Sequence, residues 1–315
     1  MVQGDLGDAT AGHAPFLTKF GDVGGMMGQF AGVVLGAEGM FGSMATRILA
    51  KDKDMAVVAA GRRDFAVEDG ATRLAALLSG RPPGLVVNAI GMLAGAVRAD
   101  DPASLRAALL INADFPHLLA EVAGSLGWRI VHISTDAVFP ANCGLVDEAT
   151  APQPEDAYGQ TKLLGETRAA NALNIRCSIV GPVAGKVRRG LWAWVEDQPQ
   201  GEELAGFTDQ YWSGCTTWQL ARLCRRLAEP AEFERWRADG SVLHFAPNPV
   251  ITKAELIGHL AAVLRPDLKV RGRSSGSPQC RILTSHHPAT LSAGDDSDWP
   301  SVIAATQQQF FVLKG

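Results

Sequence analysis

Directly after a short apolar run, Phe30-Ala31-Gly32-Val33-Val34-Leu35, the chain reads Gly36-Ala37-Glu38-Gly39-Met40-Phe41-Gly42 and then enters a helical pattern over 43–49. A strand that ends in G-x-x-G-x-x-G and feeds a helix has few uses. Glycine permits the tight turn and the close backbone approach to a pyrophosphate, and the helix N-terminus offers free N–H groups with a partial positive charge. The place of the motif, between strand and helix, marks it as a dinucleotide cradle rather than a bare glycine-rich turn. Gly36, Gly39, Met40, Phe41 and Gly42 are therefore candidate cofactor contacts.

The same alternation continues. Apolar runs at 55–60, 85–89, 129–134 and 174–180 predict strands, and the periodicity of 71–78, of two stretches within 102–126 broken near Asp114-Phe115-Pro116, and of 157–172 predicts helices. The strands are apolar throughout rather than alternating, the pattern of a parallel sheet covered on both faces: an α/β, doubly wound architecture. After Gly181-Pro182 the chain turns richer in Gly, Trp and charge; a helix is predicted over 216–227, a strand over 242–246, and a helix over 252–264 with Thr252 and Glu255 at capping-box spacing. Beyond it the chain reads as polar and irregular until about residue 302. The predicted layout is a flexible N-terminal extension over 1–29, a dinucleotide-binding domain over 30–182 that also receives 215–247, and a smaller, mainly substrate-binding C-terminal lobe over 183–315. Met26-Met27 offer an alternative start just before the first strand.

Composition excludes several classes. With 47% hydrophobic residues, 20% charged residues and a net charge of −4, the chain has neither a basic stripe nor a polybasic tail, so no nucleic-acid or anionic-membrane partner is expected. No apolar run approaches the roughly 18–20 residues of a spanning helix. Asp5 and Asp8 stand where a secretory signal would carry basic residues, which points to the cytoplasm. The five cysteines are scattered without C-x-x-C and the seven histidines lack ligand spacing, so free thiols and no metal are expected.

Two further patterns carry chemistry. At the end of the second strand, Gly61-Arg62-Arg63 places arginines where an acid would bind an NAD ribose; Arg62 and Arg63 favour NADP(H), with NAD(H) as the lesser choice. Tyr158-Gly159-Gln160-Thr161-Lys162 sets a phenol and an amine four apart on one helix face. A free phenol has a pKa of about 10, and a nearby ammonium lowers it toward use as a proton donor to a carbonyl. Ser134-Thr135-Asp136 falls at the C-terminal end of the fourth strand, where such sheets bind ligands, and Thr135 is the candidate hydroxyl for the substrate carbonyl, with Ser134 second.

These segments, with Val87-Asn88-Ala89-Ile90-Gly91, Ile111-Asn112-Ala113-Asp114-Phe115-Pro116, His132–Phe139 and Ala157–Glu166, resemble the extended short-chain dehydrogenase/reductases, and within them the dTDP-4-dehydrorhamnose reductase (sugar-nucleotide 4-ketoreductase) group. The resemblance covers roughly residues 30–182 and is most specific over 132–166. It implies a Rossmann-type fold and reduction of a keto group on a nucleotide-linked sugar, with a role in polysaccharide biosynthesis. Asn88, Ala89, Ile90 and Ser134 would lie along the cofactor and Asn112 behind the active-site helix. Thr135, Tyr158 and Lys162 would form the catalytic trio, Lys162 also holding the nicotinamide ribose. On the substrate side it implies Thr135, Asp136, Trp212 in Gly206–Gly214, and Arg281; the family's Arg-x-x-x-Leu-Asp segment is reduced here to Arg281-Ile282-Leu283-Thr284-Ser285. Other readings on the same scaffold are a dinucleotide-binding regulatory protein and a sugar-nucleotide epimerase. A dehydratase would carry an acidic pair after the threonine, whereas Asp136 is followed by Ala137. Copies of such folds commonly pair through surface helices, which leaves a homodimer open.

Overall fold

The computed structural model describes residues 30–184, 188–287 and 298–311; the extension expected over 1–29 lies outside the described residues. In chain order the strands are β1 (Phe30–Leu35), β2 (Met55–Ala60), β3 (Leu85–Asn88), β4 (Arg129–Ile133), β5 (Gly144–Val146), β6 (Ala172–Arg176), β7 (Ile179–Val180), β8 (Glu203–Phe207), β9 (Gln210–Trp212), β10 (Cys215–Thr216), β11 (Val242–His244), β12 (Ile251–Thr252), β13 (Lys269–Arg273) and β14 (Gln279–Leu283). The helices are α1 (Met40–Leu49), α2 (Gly70–Leu78), α3 (Pro102–Ala108), α4 (Phe115–Ser125), α5 (Ala157–Leu164), α6 (Leu191–Glu196), α7 (Thr217–Ala228), α8 (Pro230–Ala238), α9 (Lys253–Leu264) and α10 (Trp299–Phe311).

Six parallel strands form the central sheet in the order β2-β1-β3-β4-β6-β11. Alternate residues of β1 enter different cores. Val34 packs with Val87, Val131 and Leu173 beneath Phe41, Met44 and Ile48 of α1 and Leu220, Leu223 and Leu227 of α7. Val33 and Leu35 pack with Val86 and Ile130 against Leu74 and Leu78 of α2 and Phe115 and Leu119 of α4. The inner strands are covered on both faces, which is why they read as unbroken apolar runs, while the edge strand β2 leaves Ala56 and Ala59 exposed; each fully buried large apolar side chain contributes about 1.5–3 kcal/mol. The expected α/β doubly wound architecture is the one observed. Strand order reverses between β1 and β3, and the crevice beyond their C-terminal ends is where sheets of this kind hold ligands.

Three expectations are corrected. The helix over 102–126 is not broken: α3 runs through a π-helical segment, Leu109–Asp114, into α4. Pro116 has no N–H to give to the preceding turn, and the widened segment absorbs the misfit. Helix α5 stops at Leu164 instead of continuing to 172. A Cβ at Gly165 would lie 1.9 Å from the Asn112 carbonyl oxygen, and Glu166 then turns inward to Arg176. The strand expected over 174–180 divides into β6, in the central sheet, and β7, which pairs with β10.

The chain returns to the sheet after its first excursion: α7 packs on α1, and β11 pairs with β6 in register Val242 to Asn174. The second lobe holds a sheet of order β12-β9-β14-β5, the pair β13-β8, and a core of Trp192, Trp212, Leu256, Leu260, Trp299 and Ile303. Strands β13 and β14 occupy the stretch that reads as irregular; β13 is polar and mostly exposed, and β14 is half-buried along Cys280–Ile282 with only Leu283 in a core, so no hydrophobic period marks them. The capping box on α9 forms as expected, Thr252 Oγ1 accepting from the Glu255 N–H and the Glu255 carboxylate accepting from the Thr252 N–H. No helix among the described residues is long and apolar enough to cross a membrane.

Candidate active site

The glycine turn leaves β1 through Gly36 at φ +76°, a conformation that favours glycine. The Gly36 N–H bonds the Ala60 carbonyl at 3.0 Å and the Ala89 N–H bonds the Leu35 carbonyl at 3.0 Å, so the ends of β1, β2 and β3 are locked together. A Cβ at Gly42 would come within 2.1 Å of the Gly36 oxygen, so α1 can reach the turn only with glycine there. Its N-cap is Gly39; no side chain caps it and its first turn holds no acid, which leaves its positive end open to an anion. A cavity of about 230 Å³ lies on one side, lined by Gly36, Glu38, Gly39, Arg62, Phe65 and Ile90 among others. A second, of about 490 Å³, lies on the other. Gly39, Ala89, Ile90 and Gly91 wall both, so a dinucleotide could lie across Gly39 with one half in each.

The larger cavity is lined by Met40, Phe41, Ser134, Thr135, Asp136, Tyr158 and Lys162. Helix α5 is pressed there by a second glycine: a Cβ at Gly159 would sit 2.2 Å from the Ala137 oxygen. Asp156 caps the helix, its carboxylate accepting from the Gly159 N–H at 2.6 Å. Thr135 Oγ1 donates to Asp136 Oδ1 at 3.2 Å and accepts from the Ala137 N–H at 3.2 Å, which starts the short turn Asp136–Val138 that α5 packs against. Tyr158, Thr135 and Lys162 are thereby brought to one wall.

The electrostatics differ from the expected tuning. Lys162 Nζ donates to the Ile133 carbonyl at 2.7 Å and lies 3.3 Å from His132 Nε2. Burial pushes its amine down to about 8. Burial pushes the Tyr158 phenol up to about 12, a polar contact with Thr135 opposing the rise. In this geometry the Lys162 ammonium is engaged behind the wall, and desolvation governs the phenol. A phenol so raised stays protonated at neutral pH, as a proton donor must.

Several candidate residues stand elsewhere. Asn88 is fully buried; its Oδ1 accepts from the Ile90 N–H at 3.1 Å and its Nδ2 faces His132 Nδ1 at 3.0 Å, so it braces the turn rather than lining a cavity. Gly42 likewise lines neither cavity; its lack of a side chain lets α1 pack on the turn. Arg63 faces a separate shallow depression with Asp64, Asp69 and Arg73, because it points to the other side of the β2 end from Arg62. Ser134 lines the larger cavity, but its hydroxyl is committed to Glu166 Oε1 at 2.7 Å. Trp212 is 5% exposed, stacked near Trp299 and donating to Ser178 Oγ at 2.7 Å; it anchors the lobe core and does not present an open stacking face. Arg281 stands behind Asp136, Nη1 to Oδ2 3.8 Å, with Nε donating to the Pro140 carbonyl.

Sequence reasoning missed four contributors. His132 is wholly buried between Asn88 and Lys162, and desolvation with the Lys162 charge holds it neutral. A lone histidine inside the apolar run 129–134 was the available signal. Lys253, at the start of α9, has its ammonium 5.3 Å from the Trp212 ring centroid; burial lowers its pKa while Asp136 raises it. A lysine in the first turn of a helix is opposed by the helix dipole, which marks it as held by something else. Burial pushes the Asp136 carboxyl up, against the pull of Arg281, Thr135 and Lys253. Glu166 binds Arg176 through two hydrogen bonds of 2.8 and 2.7 Å and holds Ser134, so the wall of the cavity rests on a buried ion pair. Glu38 reaches across the glycine turn to the end of β2. Asn112, placed behind the active-site helix by resemblance, bonds Met92 and Thr161 there.

Known proteins are similar to this chain in sequence and in fold. A dTDP-4-dehydrorhamnose reductase of Streptomyces griseus is 31% identical over 163 residues, 51% of this chain and 49% of that protein. One from Escherichia coli is 35% identical over 136 residues, 41% of this chain and 43% of that protein. The aligned stretch thus spans about half the length of the curated relatives it matches. A solved dTDP-4-dehydrorhamnose reductase of Bacillus anthracis, in complex with NADP, superposes with a TM-score of 0.70 over 89% of this chain and 99% of that one at 16% identity, a likeness of fold. The family model described as the RmlD substrate binding domain matches residues 32–273, from within β1 through β13. With its cradle, its cavity wall and most of its second lobe inside that match, the chain belongs to the RmlD substrate binding domain family.

Proposed function

We propose that this protein reduces a carbonyl on a nucleotide-linked sugar, as a dTDP-4-dehydrorhamnose reductase-like sugar-nucleotide 4-ketoreductase, using NADPH by preference and NADH as well. The observation that carries this is the convergence of Thr135, Tyr158 and Lys162 on a cavity that shares a wall with the glycine cradle. The names of the relatives and the NADP in the Bacillus anthracis structure support the same reading.

Gly36, Gly39 and the open end of α1 would hold the pyrophosphate, Arg62 the ribose edge, and Lys162 the nicotinamide ribose. The bound reduced nicotinamide supplies a hydride to the carbonyl carbon. Thr135 orients the carbonyl oxygen, and Tyr158, kept protonated by burial, gives that oxygen its proton, so the ketone leaves as an alcohol. Lys162, with a pKa near 8, is able to return a proton to the phenolate. Asp136, with Arg281 and Lys253 behind it, forms the polar wall facing the sugar nucleotide.

The test is NADPH oxidation with dTDP-linked 4-keto-6-deoxy sugars, wild type beside Tyr158→Phe. The variant should retain NADPH binding and lose at least about 100-fold in kcat, the scale of a positioned acid. Tight NADPH binding without turnover of any such sugar would reject the substrate class, and equal turnover by Tyr158→Phe would reject the proton donor.

A further inference from the structure

Two opposing groups meet at the outer end of the smaller cavity. An acid at the end of the second strand serves an NAD ribose, whereas an arginine there serves a 2′-phosphate. In this chain β2 ends on Gly61, which has no side chain, followed by Arg62. Glu38 fills that space from the glycine turn. A Cβ at Gly61 would lie 2.8 Å from Glu38 Cδ and 2.9 Å from its Oε1, and the Arg62 N–H faces Oε2 at 3.4 Å. A carboxylate is thus delivered to the end of β2 by a different element. The Arg62 guanidinium leans the other way, toward Glu68 at 3.7 Å. Arg62, Glu38 and Glu68 all line the one cavity, so its edge carries two carboxylates against one cation.

We propose that Glu38 is a coenzyme-specificity residue: its carboxylate accepts a hydrogen bond from the free 2′-hydroxyl of NADH and repels the 2′-phosphate of NADPH, which narrows the protein's preference for NADPH to about tenfold or less. The inference rests on the dinucleotide reading of the cavity given above. A 2′-phosphate adds between one and two negative charges, and it gains Arg62 only by drawing it from Glu68. Removing one facing carboxylate at a solvent-exposed edge should change the balance by about tenfold.

Isothermal titration of wild type, Glu38→Gln, Glu68→Gln and Arg62→Ala with NADPH and with NADH tests this directly, without turnover. Wild type should bind the two within about tenfold of one another. Glu38→Gln should tighten NADPH about tenfold and weaken NADH severalfold. Glu68→Gln, which frees Arg62 without touching the glycine turn, should tighten NADPH alone, and Arg62→Ala should weaken NADPH alone. A Glu38→Gln ratio unchanged within twofold would overturn the proposal, as would a thousandfold preference of the wild type for NADPH. Failure of the wild type to bind either nucleotide would overturn the dinucleotide reading itself, a distinct result.

Discussion

Replacing Gly159 by alanine should separate two things that usually travel together, catalysis and stability. The added Cβ would lie 2.2 Å from the Ala137 oxygen and 2.9 Å from Pro154 Cβ. Ordinary contact needs a retreat of about 1 Å, and Ala137 belongs to the short turn that begins at Thr135. The helix that carries Tyr158 must therefore back away from the residue it works beside. Overpacking of this kind costs about 1–3 kcal/mol, offset by about 1 kcal/mol of helix propensity gained over glycine. The net loss of stability is about 0–2 kcal/mol, which leaves the protein folded. Misplacing a reacting group by about 1 Å costs on the order of 100-fold in rate. Urea unfolding followed by tryptophan fluorescence would read the first quantity, and kcat/KM for a 4-keto sugar nucleotide the second, with NADPH affinity as the control. A Gly159→Ala enzyme within threefold of wild-type kcat/KM would refute the view that this contact positions Tyr158.

Three other outcomes are expected. Glu166→Gln, which leaves Arg176 buried without its partner although the two side chains are only 6% and 5% exposed, should lower the unfolding free energy by about 3–5 kcal/mol; a loss under about 1 kcal/mol in urea would show that the pair does not hold the wall. The pH profile of kcat/KM should fall as pH rises through about 8, where the free enzyme's Lys162 gives up its proton, and this inflection should be missing in Lys162→Met. The same residue has a stability signature: between about 8 and its ordinary 10.5 the unfolded chain binds the proton that the folded chain refuses, so wild-type stability should rise relative to Lys162→Met through that window.

The central sheet was legible because its inner strands are covered on both faces and its edge strand β2, though partly exposed, is apolar throughout. Runs such as 30–35 and 55–60 need no distant partner to be recognised, and their ends are marked by glycine. The glycine turn and the Tyr158/Lys162 pair were legible for a related reason: their spacing is local. What the residues alone did not reveal depends on partners far along the chain. Glu166 continues a helical pattern after Leu164, and only Arg176, across the strand, explains why it turns inward. Trp212 reads equally well as a stacking platform or a core anchor until Trp299 arrives beside it from the last helix. The phenol's raised pKa follows from its burial in the folded wall, which four-residue spacing does not fix. Strand β13 lacks apolar periodicity because it is mostly exposed, and β14 because it is half-buried along most of its length, with only Leu283 in a core.

The interleaving of the two lobes has a bearing on how the protein is made. The outer strand of the central sheet, β11, and the helix that covers α1, α7, are synthesised only after the chain has left to begin the second lobe. Until they emerge, Phe41, Met44 and Ile48 have no helical cover on that face and β6 presents an open edge. Closing this sheet therefore waits on contacts of long sequence separation, a slow step that leaves sticky surface exposed meanwhile. A ribosome stalled near residue 200 would hold a half-built sheet rather than a finished nucleotide-binding domain, and truncation at the first lobe's apparent end, near Gly181-Pro182, should yield an aggregating fragment.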